Sequence, residues 1–308
     1  MMLSVVTTLY KSKAFLEVFL KEIIIAIEKI EVKNFELIFV NDGSPDDSVA
    51  YLLERKKDIL QIKIIDLSRN FGHHYAIQAG LNYASGDYVF LIDNDLETPP
   101  GVLFDYYNEI KNDNTLDVVY GYQEARKGNF IEKKAGSLFW VLINKLSDTK
   151  IPHNIVTERL MTKQYVNELL RLKDANLFIG GMFYWVGFNQ KGVLVNKGFR
   201  EGASTYTIKK RTELMLQAIT SFSGKPLEWL FYLGVSISFF SFLFLFYLGI
   251  QKIIYQDKVQ LGWTSIIAIN VLILGIISTF LGLIGIYIFK IFKQVQGRPN
   301  AIIKKIYE

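Results

Sequence analysis

Apolar and polar positions follow two rhythms over the first 121 residues of the chain. Leu3-Ser4-Val5-Val6-Thr7-Thr8 is a short apolar run that predicts a strand. Phe15, Leu16, Phe19, Ile23, Ile27 and Ile30 then recur at the spacing of one helix face. Phe35–Val40 predicts the next strand. Ser44-Pro45-Asp46-Asp47 predicts a helix start, with Ser44 as N-cap, Pro45 in the first turn and acids favoured by the dipole. The pattern continues with strand Ile62–Asp66, helix His74–Ala84, strand Tyr88–Asp93, a helix after Pro99-Pro100 and strand Val118–Gly121. Further on, Phe130–Leu146 and Gln164–Leu172 read as helices and Gly192–Arg200 as a strand. Such alternation implies an α/β fold with parallel strands, right-handed crossovers, and ligands beyond the carboxyl ends of the strands. Asn41-Asp42, Asp66 through Asn70, and Asp93-Asn94-Asp95 fall at such ends, so they converge on one crevice.

The rhythm then breaks into two long apolar runs, 226–250 and 264–289, with Glu228 the one charge in the first. As a helix, each is long enough to cross a hydrocarbon core of about 30 Å. Lys209, Lys210 and Arg211 precede the first run, and Lys290, Lys293, Arg298, Lys304 and Lys305 follow the second. The connector 251–263 holds only Lys252, Asp257 and Lys258, so positive-inside bias puts both termini in the cytoplasm. The expected organisation is a soluble domain at 1–207, a juxtamembrane helix at 208–225, transmembrane helices at 226–250 and 264–289 joined by an extracytoplasmic loop at 251–263, and a basic cytoplasmic tail at 290–308. Met215, Ile219 and Phe222 form a stripe in the juxtamembrane segment, which reads either as an interfacial helix or as an ordinary core-facing one.

Composition adds three constraints. A formal charge of +5 over 308 residues suits a domain lying against an anionic leaflet and demands no nucleic acid. The absence of cysteine excludes disulfides and thiolate metal sites. The strand pattern at Leu3 follows no basic flank or separate apolar core, which predicts no cleaved signal peptide.

The most informative segment for chemistry is Leu91-Ile92-Asp93-Asn94-Asp95-Leu96-Glu97-Thr98-Pro99-Pro100. A strand ending in two acids one residue apart presents hard oxygen ligands that suit Mg²⁺ or Mn²⁺ holding a diphosphate. Taken alone, a solvated turn capping the next helix explains the same residues. His73, His74 and His153 lack zinc-ligand spacing, and His73 reads as structural. The aromatic stretch Phe178–Phe188 reads either as a contact for a lipid chain or as plain core.

Val40-Asn41-Asp42-Gly43-Ser44, Leu67-Ser68-Arg69-Asn70-Phe71-Gly72-His73, the Asp93–Pro100 segment and Ile151-Pro152-His153-Asn154 occur together in one order. In that order and spacing the chain resembles the polyprenyl-phosphate glycosyltransferases, inverting family-two enzymes similar to dolichol-phosphate mannose synthase. The resemblance extends to Ile219-Thr220-Ser221-Phe222-Ser223 and Gly297-Arg298-Pro299, and so covers nearly the whole chain. It implies a GT-A catalytic domain at the cytoplasmic face of the cytoplasmic membrane. The implied reaction is Mg²⁺- or Mn²⁺-dependent transfer of one sugar from a nucleotide-sugar donor, with UDP-hexose taken as the donor, to polyprenyl phosphate.

The resemblance also assigns positions. Thr8, Tyr10, Asn41, Asp42, Arg69, Asp93 and Asn94 would contact the nucleotide, and Asp95, Glu97 and Asp93 the metal. Asp93, Asp95, Arg126, Lys134, Arg159 and Glu158 would serve the transfer itself, while Lys133, Lys134 and Arg200 would meet the acceptor phosphate. Three positions depart from the family: Glu97 where glutamine is usual, Gln123 where arginine is common, and Thr157 where an aspartate regarded as a possible base is expected. Because a phosphate monoester has a second pKa of about 6, such an acceptor arrives mostly ionised and needs no base. A sugar hydroxyl would need one, worth about 10²–10⁴ in rate. Transfer to a glycan, or a scaffold that keeps the fold without chemistry, are the alternatives. The oligomeric state is left open, a homo-oligomer included.

Overall fold

The computed structural model describes residues 1–124, 152, 154–195, scattered positions between 227 and 254, and 263–308. Its sheet is built from β1 (Met2–Leu9), β2 (Asn34–Asn41), β3 (Ile62–Leu67), β4 (Tyr88–Leu91), β5 (Val118–Tyr122), β6 (Ile155–Thr162), β7 (Gln190–Leu194) and β8 (Ile303–Tyr307). The helices are α1 (Lys13–Lys29), α2 (Ser48–Arg55), α3 (His73–Tyr83), α4 (Val102–Asn112), α5 (Lys163–Arg171), α6 (Ile179–Trp185) and α7 (Trp263–Gln296).

The strands lie in the order β7-β5-β6-β4-β1-β2-β3-β8. β1 to β4 are mutually parallel and pair through β1–β2, β1–β4 and β2–β3. Their near-continuous apolar runs reflect burial of both faces. Alternate residues divide between two cores, as a period of two requires. Val5, Phe39, Ile64 and Phe90 pack with Leu16, Phe19 and Ile23 of α1 and Tyr106 of α4. Val6, Val40, Ile65 and Leu91 pack on the other side with Ile77 and Leu81 of α3 and Tyr165 of α5.

The structure departs from the sequence pattern at four places. Ser44 is not a helix cap: α2 starts at Ser48 after Asp47, which makes no side-chain cap bond. Asp46 organises the turn instead, accepting from Ser44 Oγ (2.6 Å), Ser48 Oγ (2.7 Å) and the Lys13 amide at the start of α1 (2.9 Å). β6 is a full strand, antiparallel to both β4 and β5. β7 begins at Gln190, two residues before the predicted Gly192, and runs to Leu194; residues 196–200 lie outside the described residues. The tail is folded: α7 continues to Gln296, and Ile303–Tyr307 adds to the edge of β3 antiparallel, so the sheet includes residues from outside 1–207.

Asp46 yields a stability prediction. Burial opposes ionisation, but bonds from the Ser44 and Ser48 hydroxyls and the Lys13 and Ser48 amides outweigh it and hold the carboxyl below its ordinary value. A lowered native value means stability that is present above the unfolded-state value and is lost as pH falls through the native one. Asp46→Ala is expected to cost about 1–2 kcal/mol at pH 7 in thermal unfolding, as for a lost cap. The deficit should shrink in acid; a deficit independent of pH would contradict this account.

Every described position between 227 and 254 is helical. Among the described residues, no helix is long and apolar enough to cross a membrane. The predicted helix at 130–146, the juxtamembrane segment 208–225 and most of the connector 251–263 lie outside the described residues.

Candidate active site

The carboxyl ends of β1, β2, β3 and β4 lie side by side, and short polar bonds tie their tips together. Asn41 at the end of β2 is 6% exposed and donates Nδ2 to Oδ1 of Asp66 on β3 at 2.7 Å. Asn94, also buried, donates its side-chain amide to the Thr8 carbonyl at 2.7 Å, which fastens the tip of β4 to that of β1. Asp42 is 3% exposed and turns away from solvent. It accepts from the amides of Phe71 (2.7 Å) and Gly72 (3.0 Å). Its carboxylate therefore pins the loop that launches α3, a favourable place for negative charge at a helix N-terminus.

Gly43 makes that junction possible. Its φ of +59° is left-handed, and a Cβ there would stand 2.5 Å from the Asn70 amide nitrogen. Glycine alone combines that backbone conformation with so close an approach.

The acids follow directly on β4. Asp93, Asp95 and Glu97 are all partly exposed at the crevice, and Leu96 between the last two has φ +60°. This left-handed turn lets the Glu97 amide donate to Asp95 Oδ1 at 3.1 Å. An all-carboxylate set fits a hard divalent ion. Among the described residues no three such side chains form a ready-made metal cage.

His73 is the group that a reading of the sequence underrates. Its Nδ1 lies 3.0 Å from Thr8 Oγ1 and its Nε2 lies 3.6 Å from Asp93 Oδ1. Although 37% of the side chain reaches solvent, burial of the rest holds the imidazole below its ordinary pKa, against the opposing charges of Asp42, Asp95 and Glu158. Asp66, placed at the crevice by its strand end but given no role there, is the second: it holds the Asn41 side chain. The position of each at a strand end or helix start was the available signal.

Tyr10 is exposed at the rim, and Arg69 is exposed with its guanidinium 4.0 Å from the Phe71 ring centroid. Glu158 and Arg159 are both buried in β6. Arg159 donates to the carbonyls of Thr157 and Val156, and its guanidinium lies 3.4 Å from the Phe183 ring centroid. These two side chains therefore sit in the packed interior beneath the crevice. In the β4–β6 register Leu91 faces Arg159, the last pair of that ladder, and Thr157 lies two residues before Arg159 on β6. Thr157 itself is partly exposed there. Arg126, Lys133, Lys134 and Arg200 lie outside the described residues.

Residues 4–170 match the model of glycosyl transferase family 2. The chain belongs to that family. This family 2 glycosyl transferase is 39% identical over 277 residues to the uncharacterized glycosyltransferase YkcC of Bacillus subtilis, covering 89% of this chain and 85% of that protein. The SfII prophage-derived bactoprenol glucosyl transferase of Shigella flexneri is 30% identical over 307 residues, covering 99% of this chain and 98% of that one. Glucosyl-3-phosphoglycerate synthase from Mycobacterium tuberculosis, solved with Mn²⁺, UDP and glucosyl-3-phosphoglycerate, is similar at 19% identity and a TM-score of 0.45, over 71% of this chain and 77% of that one. The α/β sheet of this glycosyl transferase is a GT-A domain, and the crevice described above is at the carboxyl ends of its parallel strands.

Proposed function

We propose that this glycosyl transferase moves a single hexose from UDP-hexose to a polyprenyl phosphate, with inversion, at the cytoplasmic face of the cytoplasmic membrane. The observation that carries the reading is the alignment with the bactoprenol glucosyl transferase, which runs through 99% of the chain and so includes both apolar segments as well as the sugar-transfer domain.

Membrane insertion of 226–250 and 264–289 has three supports. No charged residue occurs from Val259 to Phe289. The runs 226–250 and 264–289, if helical throughout, would each reach about 37 Å or more against a core of about 30 Å. Trp229, Phe240, Tyr247, Ile269 and Leu281 are large apolar side chains that stand exposed. Topology adds a further argument: β8 pairs with β3, so the chain beyond α7 lies on the same side as the catalytic sheet. On the proposed reading an even number of crossings between Val195 and Ile303 would return the chain to the sheet, which suits insertion of both apolar segments.

Asp93, Asp95 and Glu97 would hold the Mg²⁺ or Mn²⁺ ion together with the donor diphosphate. When bound, that ion offsets the charge that builds on the departing nucleoside diphosphate. A phosphate oxygen of the acceptor attacks the anomeric carbon, and the bond from that carbon to the donor diphosphate breaks with its electron pair leaving on the diphosphate. Thr157, partly exposed on β6, is no base of useful strength. The nucleophile is accordingly one that arrives already ionised, as a phosphate monoester does near neutral pH.

Purified protein mixed with polyprenyl phosphate, Mg²⁺ or Mn²⁺ and a panel of labelled nucleotide sugars is expected to form one lipid-linked monosaccharide, from a UDP-hexose. Lack of transfer with every donor would overturn the proposal, and products longer than one sugar would overturn single transfer.

A further inference from the structure

We propose that the C-terminal strand is a working part of the nucleotide site, and that Lys304 is a positioning residue which acts on the base end of the crevice through Asp66. The inference rests on the nucleotide-sugar reading above and adds a residue from beyond the membrane segment.

Gly297-Arg298-Pro299, conspicuous in the sequence without an obvious role, is the elbow that makes this possible. α7 ends at Gln296, and Gly297 adopts φ +61°, a left-handed stop that redirects the chain. The segment around the elbow is fastened to the catalytic domain on both sides. Gln294 accepts from the Ala175 amide and donates to the Lys173 carbonyl, both at 2.8 Å. Asn300 donates to Gln78 Oε1 at 2.8 Å and to the Asp174 carbonyl at 3.1 Å. The chain then enters the sheet, where the Ser68 amide donates to the Ile302 carbonyl at 2.9 Å.

β8 pairs with β3 in a register that shifts between Asp66 and Leu67, the two residues at which β3 reaches the crevice. Lys304 lies at that irregularity, and its Nζ is 3.9 Å from Asp66 Oδ2. The opposite oxygen of Asp66 receives Asn41 Nδ2, and Asn41 Oδ1 in turn accepts from the Ser44 amide at 3.0 Å. Ser44 Oγ accepts from the Lys11 amide at 2.7 Å. One polar chain thus runs from the tail across the tips of β3, β2 and β1.

In this chain the two bonds fix the orientation of the Asn41 amide and leave it one N–H and one lone pair for a nucleobase edge. Asp66 sets that orientation, and its side chain is only 12% exposed. Lys304 offsets part of the Asp66 charge at the base end of the crevice. The same cation on an untethered tail would have to be recruited from solvent; β8 delivers it in register.

Calorimetry on the full-length protein in lipid nanodiscs tests the assignment, with UDP, GDP and pyrophosphate titrated separately in the presence of Mn²⁺. Lys304→Ala is expected to weaken UDP binding about two- to fivefold, the range of a partly exposed pair. Pyrophosphate binding and thermal unfolding should not move, and Lys304→Arg should restore the affinity for UDP. Unchanged UDP affinity in Lys304→Ala, or an equal loss for pyrophosphate, overturns the role of Lys304 at the base end. Failure of the wild-type protein to bind either nucleotide overturns the nucleotide reading itself, and the role of Lys304 with it.

Discussion

Replacing Asp95 with alanine is expected to reduce sugar transfer at least about a thousandfold, equivalent to about 4 kcal/mol of transition-state stabilisation. Asp95 is partly exposed where β4 opens into the crevice, on the same short turn as Asp93 and Glu97. Through Oδ1 it also accepts from the Glu97 amide, so the alanine variant loses both a charge and a turn contact. Asp95→Asn separates the two effects, because its side-chain oxygen still accepts from Glu97 while the charge is gone. A loss nearly as large in Asp95→Asn is expected, since on the proposed function the carboxylate charge that would hold the divalent ion is the quantity removed. Initial rates with a labelled donor check this, alongside circular dichroism to show that the fold is intact. Turnover within tenfold of wild type in either variant would remove Asp95 from the metal site.

Gly43→Ala should damage both stability and nucleotide binding. A Cβ at this position would lie 2.5 Å from the Asn70 nitrogen and 2.7 Å from the Arg69 carbonyl carbon, both backbone atoms with no easy escape. The φ of +59° adds the strain of a left-handed conformation in a residue that has a Cβ. Together these are expected to cost about 2–4 kcal/mol, or roughly 5–10 °C in Tm. Relief by backbone movement would carry the Phe71 and Gly72 amides away from Asp42, and with them the start of α3 and His73. Gly101→Ala is the matched control, because a Cβ there meets nothing within 4 Å and φ is negative. Equal melting temperatures for the two variants would show that the β2–β3 junction has slack the distances do not suggest.

Much of this architecture was legible in local pattern. β1, β2, β3, β4 and β5, with α1, α3 and α4 between them, follow from runs of buried residues and helical spacing, because each has an apolar face long enough to leave a period. The acids at 93, 95 and 97 were legible for the same reason: a strand that stops at Leu91 leaves the next residues at its tip. Ser44 misled because a Ser-Pro-Asp-Asp string carries every local sign of a helix start. In the folded chain its hydroxyl serves Asp46 and the Lys11 amide.

Sequence by itself determined the order of the central elements, the strand ends on which polar groups gather, and the two apolar stretches at 226–250 and 264–289. These are properties of hydrophobic spacing and composition, which act over a few residues to a few turns. Tertiary structure alone decided that β6 runs antiparallel between β4 and β5, and that Glu158 and Arg159 on it are buried while Thr157 stays partly exposed. It alone decided that Asp42 is held by the loop of β3 and that a basic tail becomes the edge strand of the same sheet. The reason is physical: a strand acquires its partner, and a side chain its surroundings, from segments distant in the chain, and no local period records which edge they will find.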